Sequence, residues 1–275
     1  MGRAPTMQFS LRQLLGLVTA FALVLAAWYL WTGPERAAAL IRDLGGEAEW
    51  ITEVGMTNTD VRPLPPMKRF SRVVIGGDWR GGRKGLRLLD SVRRLRELEI
   101  RKSPEVTSLL DVPFASFAKL RVFELEGLSV PAECASQLST MNSLEEARFA
   151  GCQVPGEIIA VATELPMLRR LSLDGSRLRG PIPLVRHSVI SYIDLRAVTV
   201  DDHDIEWLAS LAAAQTIVLS DTNLNDPYLL RLSSLPLLTT ISVARTRVTT
   251  AGVDEFRRRA VQRQCFVYYG QNLSK

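Results

Sequence analysis

The chain has 275 residues and a formal net charge of +5; 47% of its residues are hydrophobic and only 7% aromatic. This composition is typical of a folded protein whose core uses leucine and valine more than bulky rings, and it argues against a disordered chain. Three cysteines at scattered positions cannot all pair, so disulfide-bonded caps are excluded as the main support of the fold.

An uncharged apolar segment lies near the N-terminus, at residues 14–31. A helix of this length covers roughly 27 Å, close to the hydrocarbon thickness of a bilayer at about 30 Å. Trp28, Tyr29 and Trp31 cluster at one end, as aromatic residues do at a membrane interface. The segment therefore predicts one transmembrane helix that acts as a signal anchor and contacts the lipid bilayer.

The flanking charges indicate the orientation of this helix. Arg3 and Arg12 precede it without any acidic residue, whereas Arg36 and Arg42 follow it together with acidic neighbours. We expect a cytoplasmic tail at 1–13, a single pass, and the rest of the chain on the outer (periplasmic or extracellular) side. A cleaved signal peptide ending at Val24-Leu25-Ala26 is the alternative, and it would give a secreted protein.

Residues 34–69 are predicted to form an N-terminal cap and connector. A helix runs from Pro34 to Leu44 and ends at Gly45-Gly46, and Glu47–Val54 alternates like a first, atypical strand. Residues 55–69, with three prolines, are predicted to be an irregular connector.

A leucine pattern then recurs through residues 70–250. Counting each copy from position 0, apolar residues recur at positions 3, 5 and 10, and the copies are spaced 22 to 25 residues apart. The eight copies start at Phe70, Leu95, Leu120, Leu144, Leu168, Ile190, Ala214 and Leu238. Regular repeats of this length predict a solenoid in which each copy supplies one short strand and a return segment, and in which only stacked copies close a core.

The alternation of a strand assigns a side to each position. Positions 3 and 5 point into the core and positions 2, 4 and 6 point out, while position 8 is expected to hold the turn after the strand. Position 8 is Asp78, Ser103, Leu128, Cys152, Ser176, Val198, Thr222 and Thr246 in the successive copies.

This pattern resembles the leucine-rich-repeat family, and phrases such as Thr222-Asn223-Leu224-Asn225-Asp226 resemble its bacterial or ribonuclease-inhibitor-like subclass. The resemblance implies an α/β fold: a horseshoe-shaped leucine-rich-repeat solenoid with a parallel sheet on its concave face. In this family the concave face is the usual partner-binding surface.

The last segment, 251–275, is predicted to be a C-terminal cap and tail. Val253–Arg263 has a helical pattern, Cys265–Tyr269 reads as a last strand, and residues 270–275 are expected to be a frayed tail.

We find no pattern that predicts an enzyme, a cofactor or a metal centre. His203 lies in Asp201-Asp202-His203-Asp204, which favours the polar cap of a helix over Ile205–Leu211 more than a metal or catalytic site. The glycine-rich stretch 76–85 lacks the spacing of a phosphate loop and is predicted to be a flexible loop between repeats. Cys134, Cys152 and Cys265 are predicted to be buried structural thiols.

Basic residues cluster in residues 68–102, where twelve Lys and Arg against four Asp and Glu leave a net charge of +8. Close to the anchor, they could contact anionic lipid headgroups, or they could be an ordinary solvated face. Nucleic acid is not expected as a partner, because the anchor and its topology would keep it out of reach.

The candidate binding residues are the outward positions of the repeats, which define the concave face. They are Glu97, Glu99, Arg101, Glu124, Glu126, Glu146, Arg148, Arg170, Asp174, Tyr192, Asp194 and Arg196. In the last two copies the same positions hold Thr216, Val218, Ser220, Thr240, Ser242 and Ala244. We expect the acidic part of this face to bind a protein or peptide that carries basic groups.

The sequence thus predicts a non-enzymatic, membrane-tethered protein-binding scaffold. A structural envelope protein that self-associates, through the small residues of its last copies, is the alternative. A hydrolase that depends on His203 is a distant third possibility.

Overall fold

A computed structural model of the chain describes residues 35–53, 67–87, 89, 95–106, 109–184, 187–260 and 265–270. The predicted transmembrane segment 14–31, the tail 1–13 and most of the connector lie outside these residues. Within the described ranges, no helix combines the length and the apolar character that a membrane crossing requires.

Twelve strands and seven helices make up the described chain. Residues 35–43 form helix α1. The strands are β1 Glu47–Glu53, β2 Met67–Ile75, β3 Glu97–Arg101, β4 Val122–Glu126, β5 Glu146–Ala150, β6 Gln153–Pro155, β7 Arg170–Ser172, β8 Arg177–Arg179, β9 Tyr192–Asp194, β10 Thr216–Val218, β11 Thr240–Ser242 and β12 Phe266–Tyr268. The other helices are α2 Gly82–Leu86, α3 Ala135–Leu138, α4 Gly156–Glu164, α5 Asp202–Ser210, α6 Asp226–Arg231 and α7 Thr250–Arg259. Short 3₁₀ helices span Leu109–Asp111, Phe114–Ser116, Ala132–Cys134 and Leu232–Ser234.

Ten of the strands form one sheet, in the order β1-β2-β3-β4-β5-β7-β9-β10-β11-β12. Only β1 is antiparallel to its neighbour; from β2 onward each strand pairs in parallel with the next repeat's strand. Pairing joins equal repeat positions, as in Leu98 with Phe123 and Ile217 with Ile241. The repeat register predicted from the sequence is therefore confirmed.

One continuous apolar core lies between this sheet and the helical return segments. Positions 3 and 5 of the strands are fully buried, for example Leu98, Ile100, Leu171 and Leu173. The helices close the core from the other side with residues such as Ile158 and Leu208. No single copy could enclose these side chains alone, so the core forms only where the copies stack. This stacking of a parallel sheet against helical return segments is the leucine-rich-repeat α/β fold.

The chain turns out of each strand at position 7, which adopts a left-handed backbone conformation in six consecutive copies. In the earlier three copies this residue is glycine, at 127, 151 and 175; in the later three it is Ala197, Asp221 and Arg245, with φ between 54° and 61°. A side chain at this φ costs about 1–2 kcal/mol, so the later turns carry strain that the surrounding repeats hold in place.

Position 8 then ties neighbouring repeats together. The Ser176 hydroxyl accepts the backbone N–H of Cys152 at 2.9 Å and donates to the Phe149 carbonyl at 2.6 Å. The Cys152 thiol donates in the same way to the Leu125 carbonyl at 3.4 Å. The expectation that position 8 holds the turn after the strand is confirmed at both residues, through bonds to the backbone of the preceding repeat. The burial expected for the three thiols is also confirmed, and burial raises the pKa of the Cys134 thiol to about 11.

The N-terminal cap differs from prediction in two places. Strand β2 begins at Met67 and pairs with β1, so residues 67–69 belong to the sheet and not to the connector, because β1 offers them a free antiparallel edge. The stretch 76–85, predicted to be a flexible loop, contains the start of α2 and the buried Trp79. Gly81 and Gly85 leave room for this ring, since a Cβ on either would lie 2.4–2.5 Å from it.

The C-terminal segment extends the solenoid. Helix α7 begins at Thr250, three residues before the predicted start, because Thr249 caps it by accepting the Gly252 N–H at 3.1 Å. The predicted last strand is confirmed as β12, and it continues the parallel sheet beside β11 as a ninth parallel strand. Helix α7 and strand β12 thus add one more strand and one more return helix to the solenoid after residue 250.

Candidate functional site

The concave face, built from positions 2, 4 and 6 of the strands, carries three clusters of arginine and carboxylate side chains. Parallel pairing places the same positions of adjacent repeats side by side, so a carboxylate on one strand meets an arginine on the next.

The first cluster is centred on Glu99 of β3. Its carboxylate accepts hydrogen bonds from Arg72 of β2 at 2.7 Å and from Arg101 at 2.5 Å. Burial alone would raise the pKa of Glu99, but the hydrogen bonds from both arginines outweigh it and lower the pKa. The same two arginines reach Glu97 and Glu126 only at 3.9 and 3.4 Å.

The second cluster crosses β4, β5 and β7. Arg148 donates to Glu124 at 3.1 Å and to Glu146 at 2.9 Å. Glu146 also contacts Nε of Arg170, at 3.3 Å. The guanidinium carbon of Arg170 lies 4.5 Å from the centre of the Tyr192 ring, which is a cation–π contact.

The third cluster is centred on Asp194 of β9. Arg196 donates to both carboxylate oxygens of Asp194, to Oδ1 from Nε at 3.0 Å and to Oδ2 from Nη2 at 2.7 Å, and it reaches Asp174 at 3.4 Å. A bidentate pair of this kind fixes the plane of the guanidinium.

All twelve predicted binding residues lie on this one face, and the clusters connect them. Two of them are not solvent-facing as predicted: the side chains of Glu99 and Asp194 are 7% and 3% exposed, because arginines fold over them. These two carboxylates are buried beneath arginine side chains of the concave face, so neither offers a free charge to a partner. The expected acidic surface is consequently much more neutral than the sequence suggested.

Sequence reasoning missed one signal for this pairing. In three strands an acid is followed two residues later by an arginine on the same face, and each such pair is bonded: Glu99 with Arg101, Glu146 with Arg148 and Asp194 with Arg196. Residues two apart in a strand share a face, so the repeated acid-x-Arg motif could have predicted the neutralisation.

The C-terminal part of the concave face has a different chemistry. Strands β10 and β11 present Thr216, Val218, Thr240 and Ser242, and the Ser220 and Ser242 hydroxyls bond each other at 2.8 Å. On the terminal strand, Phe266 and Tyr268 project from the face with 68% and 62% of their surface exposed. Along the concave face, from the N-terminal to the C-terminal strands, the side chains therefore change from charged clusters to small uncharged residues on β10 and β11, followed by two aromatic rings on β12.

The Asp201–Asp204 segment is the polar helix cap that the sequence favoured. The Asp201 carboxylate accepts the Asp204 N–H at 3.0 Å, and the Asp204 carboxylate accepts the Asp201 N–H at 3.0 Å. His203 is exposed at the start of α5. Over the described part of the chain, no three His, Cys, Asp or Glu side chains are grouped so that they could hold a metal ion.

A cavity of about 300 Å³ lies at the carboxyl ends of β3 to β5, beside the concave face. It is lined by Lys102, Ser103, Val106, Leu109, Gly127, Leu128, Ser129, Gly151 and Gln153. Its walls are the turns of three repeats, and none of the twelve candidate binding residues belongs to it.

Comparisons with known proteins support the fold and not a specific relative. No protein-family model matches the sequence, and no curated protein matches it. Among solved structures, TLR13 in its complex with ssRNA13 is similar at a TM-score of 0.50 and 14% identity, covering 72% of this chain and 29% of that one.

Two internalins of Listeria monocytogenes are also similar. InlF matches at a TM-score of 0.44 and 14% identity over 67% of this chain and 57% of that chain, and internalin C2 at 0.45 and 16% over 68% and 74%. The chain thus spans little more than half the length of the first of these. At such identities the likeness to TLR13 shows that this chain shares the leucine-rich-repeat fold.

Proposed function

We propose that this chain is a non-enzymatic scaffold, tethered to a membrane, that binds a protein or peptide partner on its concave face. The observation that carries the proposal is the face itself. Its side chains stand on a continuous ten-stranded sheet, and bonded clusters hold arginines and carboxylates in fixed positions. A partner that binds there meets side chains that lose little conformational freedom, which favours affinity.

The tether is proposed from the sequence. The apolar segment 14–31 would cross the bilayer, with residues 1–13 in the cytoplasm and the repeats on the outer side. Only three residues separate Trp31 from α1, and an extended chain spans at most about 3.5 Å per residue. The N-terminal cap would therefore lie within roughly 15 Å of the bilayer.

We also propose contact with anionic lipid, through fewer of the basic residues in 68–102 than the sequence suggested. Arg72 and Arg101 bind Glu99 on the concave face and are not available to headgroups. Arg80, Lys84, Arg87 and Lys102 are exposed and remain candidates. The anchor would insert into any bilayer, so binding to vesicles alone does not report on these residues. Hydrogen exchange at the amides of α2 does: it is measured in bilayers that contain phosphatidylglycerol and in bilayers of phosphatidylcholine alone, for the native chain and for a chain with Lys84 and Arg87 replaced by Gln.

Site-specific photo-cross-linking tests the binding face. A photoreactive amino acid is placed in the full chain at Ser172 or Thr216 on the concave face, or at Ser136 or Ser139 on the helical side. We expect a discrete cross-linked partner from the first two positions and none from the other two. Cross-links only from the helical side would refute the proposed face.

A structural protein that self-associates is the second candidate, and the exposed Phe266 and Tyr268 on the terminal strand favour it. It predicts that analytical ultracentrifugation of the purified chain gives a dimer or larger species that a bulky substitution at Val218 or Ser242 disrupts. A secreted repeat protein, cleaved after Ala26, differs only in its release from the membrane, and the mass of the mature chain distinguishes it.

A further inference from the structure

The strongest unexplained feature of the concave face is the arginine at its centre. Among the described residues, Arg170 forms an ion pair with Glu146 alone, whose carboxylate lies 3.3 Å from its Nε and is shared with Arg148. Its side chain is 54% exposed. Neither of its two terminal nitrogens donates a hydrogen bond to a carboxylate of the described residues.

The guanidinium of Arg170 is nevertheless held in place. The Tyr192 ring lies beneath it, and Glu146 fixes its Nε edge. Stacking and one ion pair together restrict the rotation of a long side chain, so less entropy is lost when its terminal nitrogens bind a ligand. By contrast, Arg196 and Arg101 are already engaged by carboxylates at 2.7 and 2.5 Å.

The surface beyond Arg170 fits an uncharged, extended segment. From β7 to β12 there are four steps between strands, or about 19 Å at about 4.8 Å a step. After Arg196, the outward side chains of β10 and β11 are small and neutral, which permits close approach of a backbone. Phe266 and Tyr268 end this path with two exposed rings.

From this arrangement we infer that the partner places a carboxylate on Arg170 and an apolar side chain on Phe266 and Tyr268, with about five residues between them. The guanidinium fork matches a carboxylate, and the rings match an apolar group. This inference rests on the proposed function and names the chemistry that the concave face recognises. The sequence led us to expect a partner with basic groups, whereas the partner inferred here carries an acidic group.

Defined peptides test the inference on the full chain in phosphatidylcholine nanodiscs. A labelled peptide carries a glutamate and a phenylalanine about six positions apart in a Ser/Gly/Thr background, and its relatives carry Gln or Lys for the glutamate, or Ser for the phenylalanine. Fluorescence anisotropy measures their affinities. We expect the Glu peptide to bind about tenfold more tightly than the Gln peptide, as a charge-assisted hydrogen bond allows, and the Lys peptide least tightly.

Variants assign the preference to residues. Arg170→Gln should make the Glu and Gln peptides bind equally, and Arg170→Lys should lose most of the preference because a lysine offers no fork. Arg169→Gln is the matched control: it removes one positive charge from the neighbouring exposed residue, and the preference should persist. Phe266→Ser with Tyr268→Ser should weaken the Phe peptide but not its Ser relative, whereas Leu237→Ser, another exposed apolar residue, should change neither.

Three results would overturn the inference: tighter binding of the Lys peptide, a Glu preference that survives Arg170→Gln, or no measurable binding of the Glu peptide. Photo-cross-linking separates these failures from that of the proposed function. A partner captured at Ser172 while the peptides fail leaves the binding face intact and removes only the assigned chemistry.

Discussion

The Arg72 guanidinium donates to the Glu99 carboxylate at 2.7 Å, from the second strand of the sheet to the third. Arg101 binds the other oxygen of the same carboxylate, so Glu99 is a buried acid enclosed by two arginines on the face that a partner would contact. The pair shows how this solenoid builds its concave face: side chains whose charges the sequence places outward bond one another, both within a repeat and between neighbouring repeats.

Glu99→Gln should lower the free energy of unfolding by about 1–3 kcal/mol, because it leaves two arginines without their shared charge. Urea denaturation followed by circular dichroism measures this. Glu97→Gln is the control, since Glu97 is 45% exposed and lies 3.9 Å from Arg72, and it should cost less than about 0.5 kcal/mol.

The difference between wild type and Glu99→Gln should also depend on pH. The pKa of Glu99 is lowered in the folded state from its ordinary value of 4.5, so its contribution is fully present above that value. It is lost as the pH falls through the lowered pKa, and the two stabilities should converge in acid. A difference that stays constant from pH 7 to pH 2 would contradict the ion-pair explanation.

Ser176→Ala should destabilise the fold by about 1–3 kcal/mol, because the buried N–H of Cys152 and the carbonyl of Phe149 both lose their partner. Ser172→Ala, on the same repeat but on the concave face, removes a hydroxyl that bonds no described residue and should be nearly neutral. Thermal unfolding of the two variants compares them directly, and equal midpoints would contradict a structural role for position 8.

Gly156→Ala should cost more than about 2 kcal/mol, because the added Cβ would lie 2.2 Å from the Pro181 carbonyl oxygen, and backbone must move to admit it. Gly151→Ala is its matched control: no atom lies within 4 Å of the added Cβ there, and only the left-handed φ of 59° opposes it, at about 1–2 kcal/mol. If Gly151→Ala lowered the denaturant midpoint more than Gly156→Ala does, the close approach of the Pro181 backbone to Gly156 would be wrong.

Asp204 should make stability fall as the pH rises from about 4 to about 6. Burial, together with the neighbouring Asp201 carboxylate, raises its pKa from 3.8 to about 6. The folded state therefore binds this proton more tightly than the unfolded state, and the unfolding free energy decreases across that interval. Asp204→Asn, which keeps an acceptor for the Asp201 N–H, should remove this part of the slope.

Glu206→Gln, an exposed substitution on the same helix, should leave the pH slope unchanged. Unfolding free energies measured at half-unit steps between pH 4 and pH 7 separate the two variants. A slope that persists in Asp204→Asn would assign the titration to another group.

The register of the repeats was predictable because leucine-like residues at positions 3 and 5 can only face the core, and a slip by one residue would expose them. The caps were predictable in part: Gly45, with φ of 84°, ends α1 as expected. Trp79 was missed because a glycine-rich stretch suggests mobility, whereas its glycines make space for a buried ring.

The chemistry of the concave face was less predictable. Outward alternation assigns Glu99 and Asp194 to solvent, but their burial depends on arginine side chains from the same and the preceding strand. Such contacts arise from rotamers across strands, which periodicity does not encode. The left-handed turns at Ala197, Asp221 and Arg245 were also missed, since no glycine marks them.

The most direct test of the central claim is a steric block on the concave face. Full-length chains with Thr216→Trp on that face, or Ser136→Trp on the helical side, are purified from membranes after cross-linking, once both are shown to unfold at the wild-type temperature. We predict that Thr216→Trp loses the bound partner and Ser136→Trp retains it. Equal recovery of the same partner by both variants would contradict a binding function for the concave face.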